Sequence, residues 1–255
     1  MRYAARVSYL GTGYSGWQRQ AQGRGVQEEV ENALRSVTGR DVPVTAAGRT
    51  DAGVHALGQV ISFTLGKEWI PDRLIMALNF YLPEDVSITG LCSVPDSFDA
   101  RRSALWREYR YLIWHGNAPA PLLWGRAWWN KQRWDYARAQ AACALYEGSH
   151  DFRAFCRTAE CPDRTTRTIL RATLHRRGQL SVFAVRGNAF LTNMVRIMVG
   201  NIDAVGRGRK DLSWISELLA GRCRDESAMT APAEGLYLWQ VGYGEGIPFS
   251  PKRVQ

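Results

Sequence analysis

The sequence predicts an α+β fold made of two related halves, and three observations carry that expectation. Short runs alternate apolar and polar residues with a period of two, as half-buried strands do. Longer runs repeat apolar residues every three or four positions, as amphipathic helices do. The runs follow one another as strand, helix, strand, strand, helix, strand over the first half, and the second half echoes that order more loosely.

Taken in order, Tyr3, Ala5, Val7 and Tyr9 alternate as a first strand. The turn-rich stretch GTGYSGWQRQAQGRG follows, and then Val26, Val30, Ala33, Leu34 and Val37 recur at helical spacing until Gly39 stops the helix. VPVTAA reads as a short strand and QVISFTL as another, with Ile61, Phe63 and Leu65 on one face. Pro71 and Asp72 open a helix through RLIMALNFYL that Pro83 ends, and DVSITGLCSV is a fourth strand. This β-α-β-β-α-β order is the split ferredoxin-like, or RRM-like, unit.

In the second half, REYRYLIW is a strand and WDYARAQAACALYEG a helix. TRTILRATLHRRG and QLSVFAVRG form a hairpin turning at Arg177-Gly178. NAFLTNMVRIMVGNIDAVG is a helix, DLSWISELLAG a shorter one, and EGLYLWQVGYG a last strand. The expected halves are 1–103 and 104–244, with mostly antiparallel sheets facing a basic central cleft. Residues 245–255, with two prolines and little apolar pattern, are expected to be a loose tail.

The chain of 255 residues is long enough to bury a sizeable core, and 45% hydrophobic with 22% charged residues is ordinary globular composition. No apolar run is long enough to span a bilayer, and MRYAARVSYL lacks the core and cleavage site of a signal peptide. A cytoplasmic protein is expected. Five cysteines without framework spacing fit free thiols in a reducing compartment. Lys and Arg number 33 against 24 Asp and Glu, a net charge of +9, and most of the excess is arginine. Guanidinium groups fork onto phosphates and stack on bases, and ten Trp and ten Tyr accompany them, so the composition favours an RNA partner.

The available chemistry is narrow. Four histidines stand outside any catalytic triad or zinc context, and no phosphate-binding glycine loop has the right spacing. Cys156 and Cys161 are the only close cysteine pair and no histidine doublet completes a metal set, so no metal and no cofactor are expected. The stretch AAGRTDAGVHALGQ places a solitary carboxylate, Asp51, among small residues, with Arg49 two positions before it. One ionised carboxylate beside an arginine suits covalent or electrostatic work at a sugar carbon. The alternative is that Asp51 closes an Asx turn and Arg49 is solvated.

GRTDAGVHA, read with YSGWQRQ and VQEEVENAL, FDARRSALWREYRY, NAFLTNMVRIMVG and AEGLYL in that order, resembles the TruA family of tRNA pseudouridine synthases. The resemblance runs along most of the chain and is weakest over 115–165. It implies an enzyme that turns uridine into pseudouridine at positions 38, 39 and 40 of the anticodon arm, acting on tRNA as a homodimer with no cofactor. Its rivals are a non-catalytic tRNA-binding or folding protein on the same scaffold and an RNA-base glycosylase that stops after bond cleavage.

The resemblance also implies roles. Asp51 is the essential aspartate, and Arg196, a charge among Met194, Val195, Ile197 and Met198, is the buried cation paired with it. Arg49 is either a rival partner or a contact to RNA phosphate. Tyr109 stacks on the uracil, Leu236 packs under the target base, and Tyr111 is a core aromatic. Trp17 either touches RNA or packs. His55 makes a loop hydrogen bond and takes no catalytic part. Arg107 shares the Tyr109 strand face and is expected to bind substrate, within a cationic run that includes Arg101, Arg102 and Arg110.

Overall fold

The computed structural model describes residues 1–244, so the tail expected at 245–255 lies outside the described residues. The described residues form two compact units, one of Met1–Arg107 with residues 237–244, the other Glu108–Leu236.

The first unit begins as the sequence pattern requires. β1 (Arg2–Tyr9), α1 (Val26–Thr38), β2 (Thr45–Ala46), β3 (His55–Thr64), α2 (Pro71–Tyr81) and β4 (Val86–Val94) follow in order. β1 lies between β4 and β3, antiparallel to both, and β2 pairs antiparallel with β3. Tyr3 stands opposite Phe63, and their rings stack with centroids 5.9 Å apart. α1 buries Val26, Val30, Ala33 and Leu34, and α2 buries Leu74 and Leu78. Each of the Val and Leu side chains contributes about 1.5–3 kcal/mol when fully removed from water, so these stripes hold the helices to the sheet. Gly39 ends α1 in the left-handed region at φ 71°, as its place after the last apolar residue predicts.

Two strands differ in extent from their sequence pattern. VPVTAA contributes only Thr45–Ala46 to the sheet. Pro43 has no amide hydrogen to give, and the Val44 amide donates to Glu31 Oε1 instead of to a neighbouring strand. β3 starts four residues before QVISFTL, at His55.

The second unit contains β5 (Trp106–Trp114, entering at Glu108), β6 (Trp128–Trp129), α3 (Tyr136–Ala144), β7 (Gly148–Asp151), β8 (Thr166–Arg177), β9 (Leu180–Gly187), α4 (Met194–Gly206) and α5 (Leu212–Leu219). The sheet order is β5-β9-β8-β7, with β7, β8 and β9 joined antiparallel and β6 parallel to β5. Arg177 pairs with Leu180, which leaves Gly178 and Gln179 as the hairpin turn. α4 begins at Met194, not at Asn188: Asn193 takes a left-handed φ of 64°, which Asn tolerates better than most residues, and the chain before it is not helical. Tyr111, Tyr146, Phe152, Phe155 and Phe183 form the buried aromatic centre of this unit.

The final strand, β10 (Leu236–Gly242), pairs in parallel with the start of β3, Tyr237 opposite His55 and Leu238 opposite Ala56. These bonds join it to the first unit, where the sequence had grouped it with residues 104–244.

Candidate active site

The GRTDAGVHA stretch is the loop between β2 and β3, and its main chain is tied at nearly every residue. The Ala47 amide donates to Val60 O at 2.8 Å, and the fully buried Gln59 side chain donates to Gly48 O at 2.6 Å. The Thr50 hydroxyl meets Tyr9 Oη at 2.8 Å, and Thr50 O accepts from the Trp17 amide at 3.0 Å. The Val54 amide donates to Asp51 O at 3.2 Å, closing a four-residue turn whose third residue, Gly53, has φ 77°. A type II turn demands a positive φ there, which explains the glycine. An Asx turn would use the Gly53 amide, but that amide donates to Tyr14 O at 3.3 Å. Asp51 itself is half-buried.

The GTGYSG loop packs on this turn. A Cβ on Gly16 would stand 2.7 Å from Thr50 O, and one on Gly11 2.1 Å from Val54 O. Those glycines bring two pieces of backbone together; they do not cradle a phosphate. Trp17 is buried with its ring 5.9 Å from Tyr9, so its role is packing. His55 is buried as well: Nδ1 accepts from the Gly11 amide at 2.9 Å, and its ring lies 4.7 Å from that of Tyr237. This is the loop hydrogen bond that the sequence suggested.

The arginines singled out in this unit's sequence divide into two kinds. Arg107 donates to the carbonyls of Ala47, Arg101 and Ala104. Arg49, Arg101 and Arg102 are exposed, and among the described residues the Arg49 guanidinium makes no hydrogen bond or ion pair.

In the second unit, Tyr109 is buried on β5 and meets the Phe190 ring edge-on at 4.9 Å. Tyr111 is fully buried, its hydroxyl donates to Pro232 O at 2.7 Å, and desolvation pushes its phenol well up. A core role for Tyr111 follows. Arg196 rises from the first turn of α4, where Nε donates to Ala231 O at 2.8 Å and Nη1 to Asn193 Oδ1 at 2.9 Å. The Ala231 amide returns a bond to Arg196 O at 3.1 Å, so the loop before β10 is fastened to the helix on both sides. Leu236 is buried at the head of β10. On the other face of β5, the buried Glu108 carboxylate pairs with Arg186 at 2.6 Å and Arg110 at 3.1 Å.

A family model described as tRNA pseudouridine synthase matches residues 5–101 and 142–244. The chain belongs to the tRNA pseudouridine synthase family. A tRNA pseudouridine synthase A of Burkholderia cenocepacia is 40% identical over 255 residues, covering 100% of this chain and 94% of that one. The tRNA pseudouridine synthase A of Acetivibrio thermocellus is 39% identical over 237 residues, 93% of this chain and 97% of that one, and that of Shouchella clausii is 40% identical over 247 residues, 96% and 95% respectively. Among solved structures, a chain of "Crystal Structure of a Cbf5-Nop10-Gar1 Complex" overlays 97% of this chain and 60% of its own length at 12% identity and a TM-score of 0.39.

The matched spans of this synthase family member contain Arg49, Asp51, Arg196 and Leu236; Arg107 and Tyr109 fall in the interval between them. Among the described residues, no group of three or more His, Cys, Asp or Glu could hold a metal, and no helix is long and apolar enough to cross a membrane. Sequence reasoning overlooked Gln59, Tyr9 and Tyr14 as holders of the loop. Gln59 carried a signal, being a long polar side chain beside the apolar Val60 and Ile61 of QVISFTL.

Proposed function

We propose that this chain converts uridine to pseudouridine in the anticodon arm of tRNA, at positions 38, 39 and 40, with Asp51 as the catalytic carboxylate. The observation that carries the reading is the Asp51 loop: its main chain is bonded at Ala47, Gly48, Thr50, Asp51, Gly53 and Val54, while Asp51 stays half-buried and Arg49 exposed. Fixing one carboxylate this tightly is of use when a single group must meet a reacting atom.

The target base lies in a stem or loop and must be flipped out of the stack to meet a protein carboxylate. The N1–C1′ bond then breaks, the uracil turns, and C5 bonds to C1′. The proton at C5 leaves and N1 gains one, so the reaction balances without oxidant, cofactor or metal. Asp51 serves in ionised form, and Arg196 is its proposed cation, because a positive neighbour favours the carboxylate. Tyr109 offers a ring face to the detached uracil, and Leu236 an apolar floor. Arg49 is assigned to the RNA backbone, its exposure and lack of a described partner supporting this over pairing with Asp51. The enzyme is proposed to work in the cytoplasm as a homodimer, a reading that the exposed apolar residues Ile70, Met76, Phe80 and Tyr81 of the α2 segment support.

The test is tritium release from tRNA labelled at uridine C5. The wild-type protein should release tritium and Asp51→Asn should not, with tRNA binding retained in both. Binding without release by either protein would favour a tRNA-binding role, and free uracil in the products would indicate a glycosylase.

A further inference from the structure

We propose that Arg107 is a positioning residue for this reaction and not a contact to RNA: its guanidinium fixes the root of the Asp51 loop. The inference rests on the isomerase reading above. Arg107 gives Nε and Nη2 to Ala47 O at 3.2 and 2.9 Å, Nη2 also to Arg101 O at 2.6 Å, and Nη1 to Ala104 O at 3.3 Å. Three carbonyls from two separate stretches of chain therefore converge on one planar fork. The next residue, Gly48, is held from the other side by Gln59, whose amide accepts from Gly48 N at 3.4 Å and donates to Gly48 O at 2.6 Å. The chain enters the loop through this clamp, and Asp51 lies four residues beyond Ala47.

All three nitrogens of the Arg107 guanidinium donate to main-chain carbonyls, so the group is engaged by the protein's own backbone. Lysine keeps the charge but cannot present a planar fork. Catalysis is far more sensitive to such placement than binding is, since a shift of about 1 Å at a reacting group can cost roughly a hundredfold in rate.

The experiment compares wild type, Arg107→Lys and Arg107→Gln. It measures single-turnover tritium release at saturating enzyme, tRNA Kd across a salt series, and melting temperature. The single-turnover rate should fall at least tenfold in both variants, with Kd and its salt slope unchanged. Should Arg107→Gln fail to fold, Arg107→Lys alone decides between the outcomes. A raised Kd and a salt slope smaller by about one phosphate's worth, with the saturated rate intact, would overturn the proposal in favour of an RNA contact. An unchanged rate in both variants would overturn it too. A wild-type protein that releases no tritium would instead remove the isomerase reading, and the proposal with it.

Discussion

Gly16→Ala offers a test of how the first loop supports the second, because the strain can be read off the structure. Gly16 has φ 111°, where an L side chain is strained, and an added Cβ would meet the Thr50 carbonyl oxygen at 2.7 Å. The backbone conformation costs about 1–2 kcal/mol for a residue with a Cβ. Overpacking against main chain adds about 1–3 kcal/mol. A destabilisation near 3 kcal/mol lowers Tm by about 6–12 °C in a chain of this size. Relief to an ordinary van der Waals contact of 3.4 Å requires the carbonyl to retreat by 0.7 Å from the 2.7 Å at which the Cβ would stand. That carbonyl belongs to the peptide joining Thr50 to Asp51, and productive geometry tolerates only about 0.5 Å of displacement. The single-turnover rate should therefore fall about tenfold even at temperatures where the variant is fully folded. Gly13→Ala is the control: its Cβ would meet nothing within 4 Å, and it should leave Tm and rate unchanged. Equal behaviour of the two variants in calorimetry and tritium release would refute the reasoning.

Arg49→Ala should leave Tm unchanged, because the side chain is exposed and has no described partner, while lowering the salt slope of tRNA binding by about 0.7–0.9. Glu108→Gln should cost about 1–2 kcal/mol in urea unfolding, the charge-assisted bonds to Arg110 and Arg186 being discounted for the part-exposure of both arginines. Burial pushes the phenols of Tyr111, Tyr146 and Tyr243 above the ordinary 10.0, and burial followed by the Asp85 carboxylate does the same to Tyr14. The folded state then binds these protons more tightly than the unfolded chain. The stability they contribute is complete below pH 10 and is lost as the pH rises beyond it. Absorbance at 295 nm should show part of the tyrosine set ionising only together with unfolding; a single titration of all tyrosines near pH 10, with the fold intact, would contradict this.

The elements were legible where one periodicity ran undisturbed. The stripe Val26, Val30, Ala33, Leu34 gave α1 almost to the residue, and Gly39 gave its end. Legibility failed where a local hydrogen bond outweighed the pattern. The Val44 amide turns to Glu31, which shortens β2, and Asn193 in the left-handed region delays α4 although NAFLT reads as helix. The pairing of β10 with β3 is a contact between the chain's far end and its first third, and no local pattern encodes such a contact. In the candidate site, Asp51 was singled out by the resemblance of GRTDAGVHA and its companion motifs to a known family, because a lone carboxylate between small residues suited an Asx turn equally well. The partners of Arg107 were not legible, because strand alternation places a side chain on a face without saying which carbonyls that face will offer.

The small residues around Asp51 have a different use from the one their size first suggests. Smallness in GRTDAGVHA could serve a nucleotide approaching from outside, but much of it is taken up by the protein itself. Gly53 supplies the positive φ of the turn, Gly48 is enclosed by the Gln59 amide, and Ala47 is buried with its carbonyl on Arg107. Arg49 and Ala52 are the residues of GRTDAGVHA left exposed, one on each side of the Thr50–Asp51 pair. Under the proposed function a substrate would meet the loop through Arg49, Asp51 and Ala52, and enlarging Ala52 should disturb tRNA more than it disturbs folding. Ala52→Leu with wild-type Tm and a raised KM for tRNA would fit this division; a lowered Tm with KM unchanged would show that Ala52, too, serves the protein's own packing.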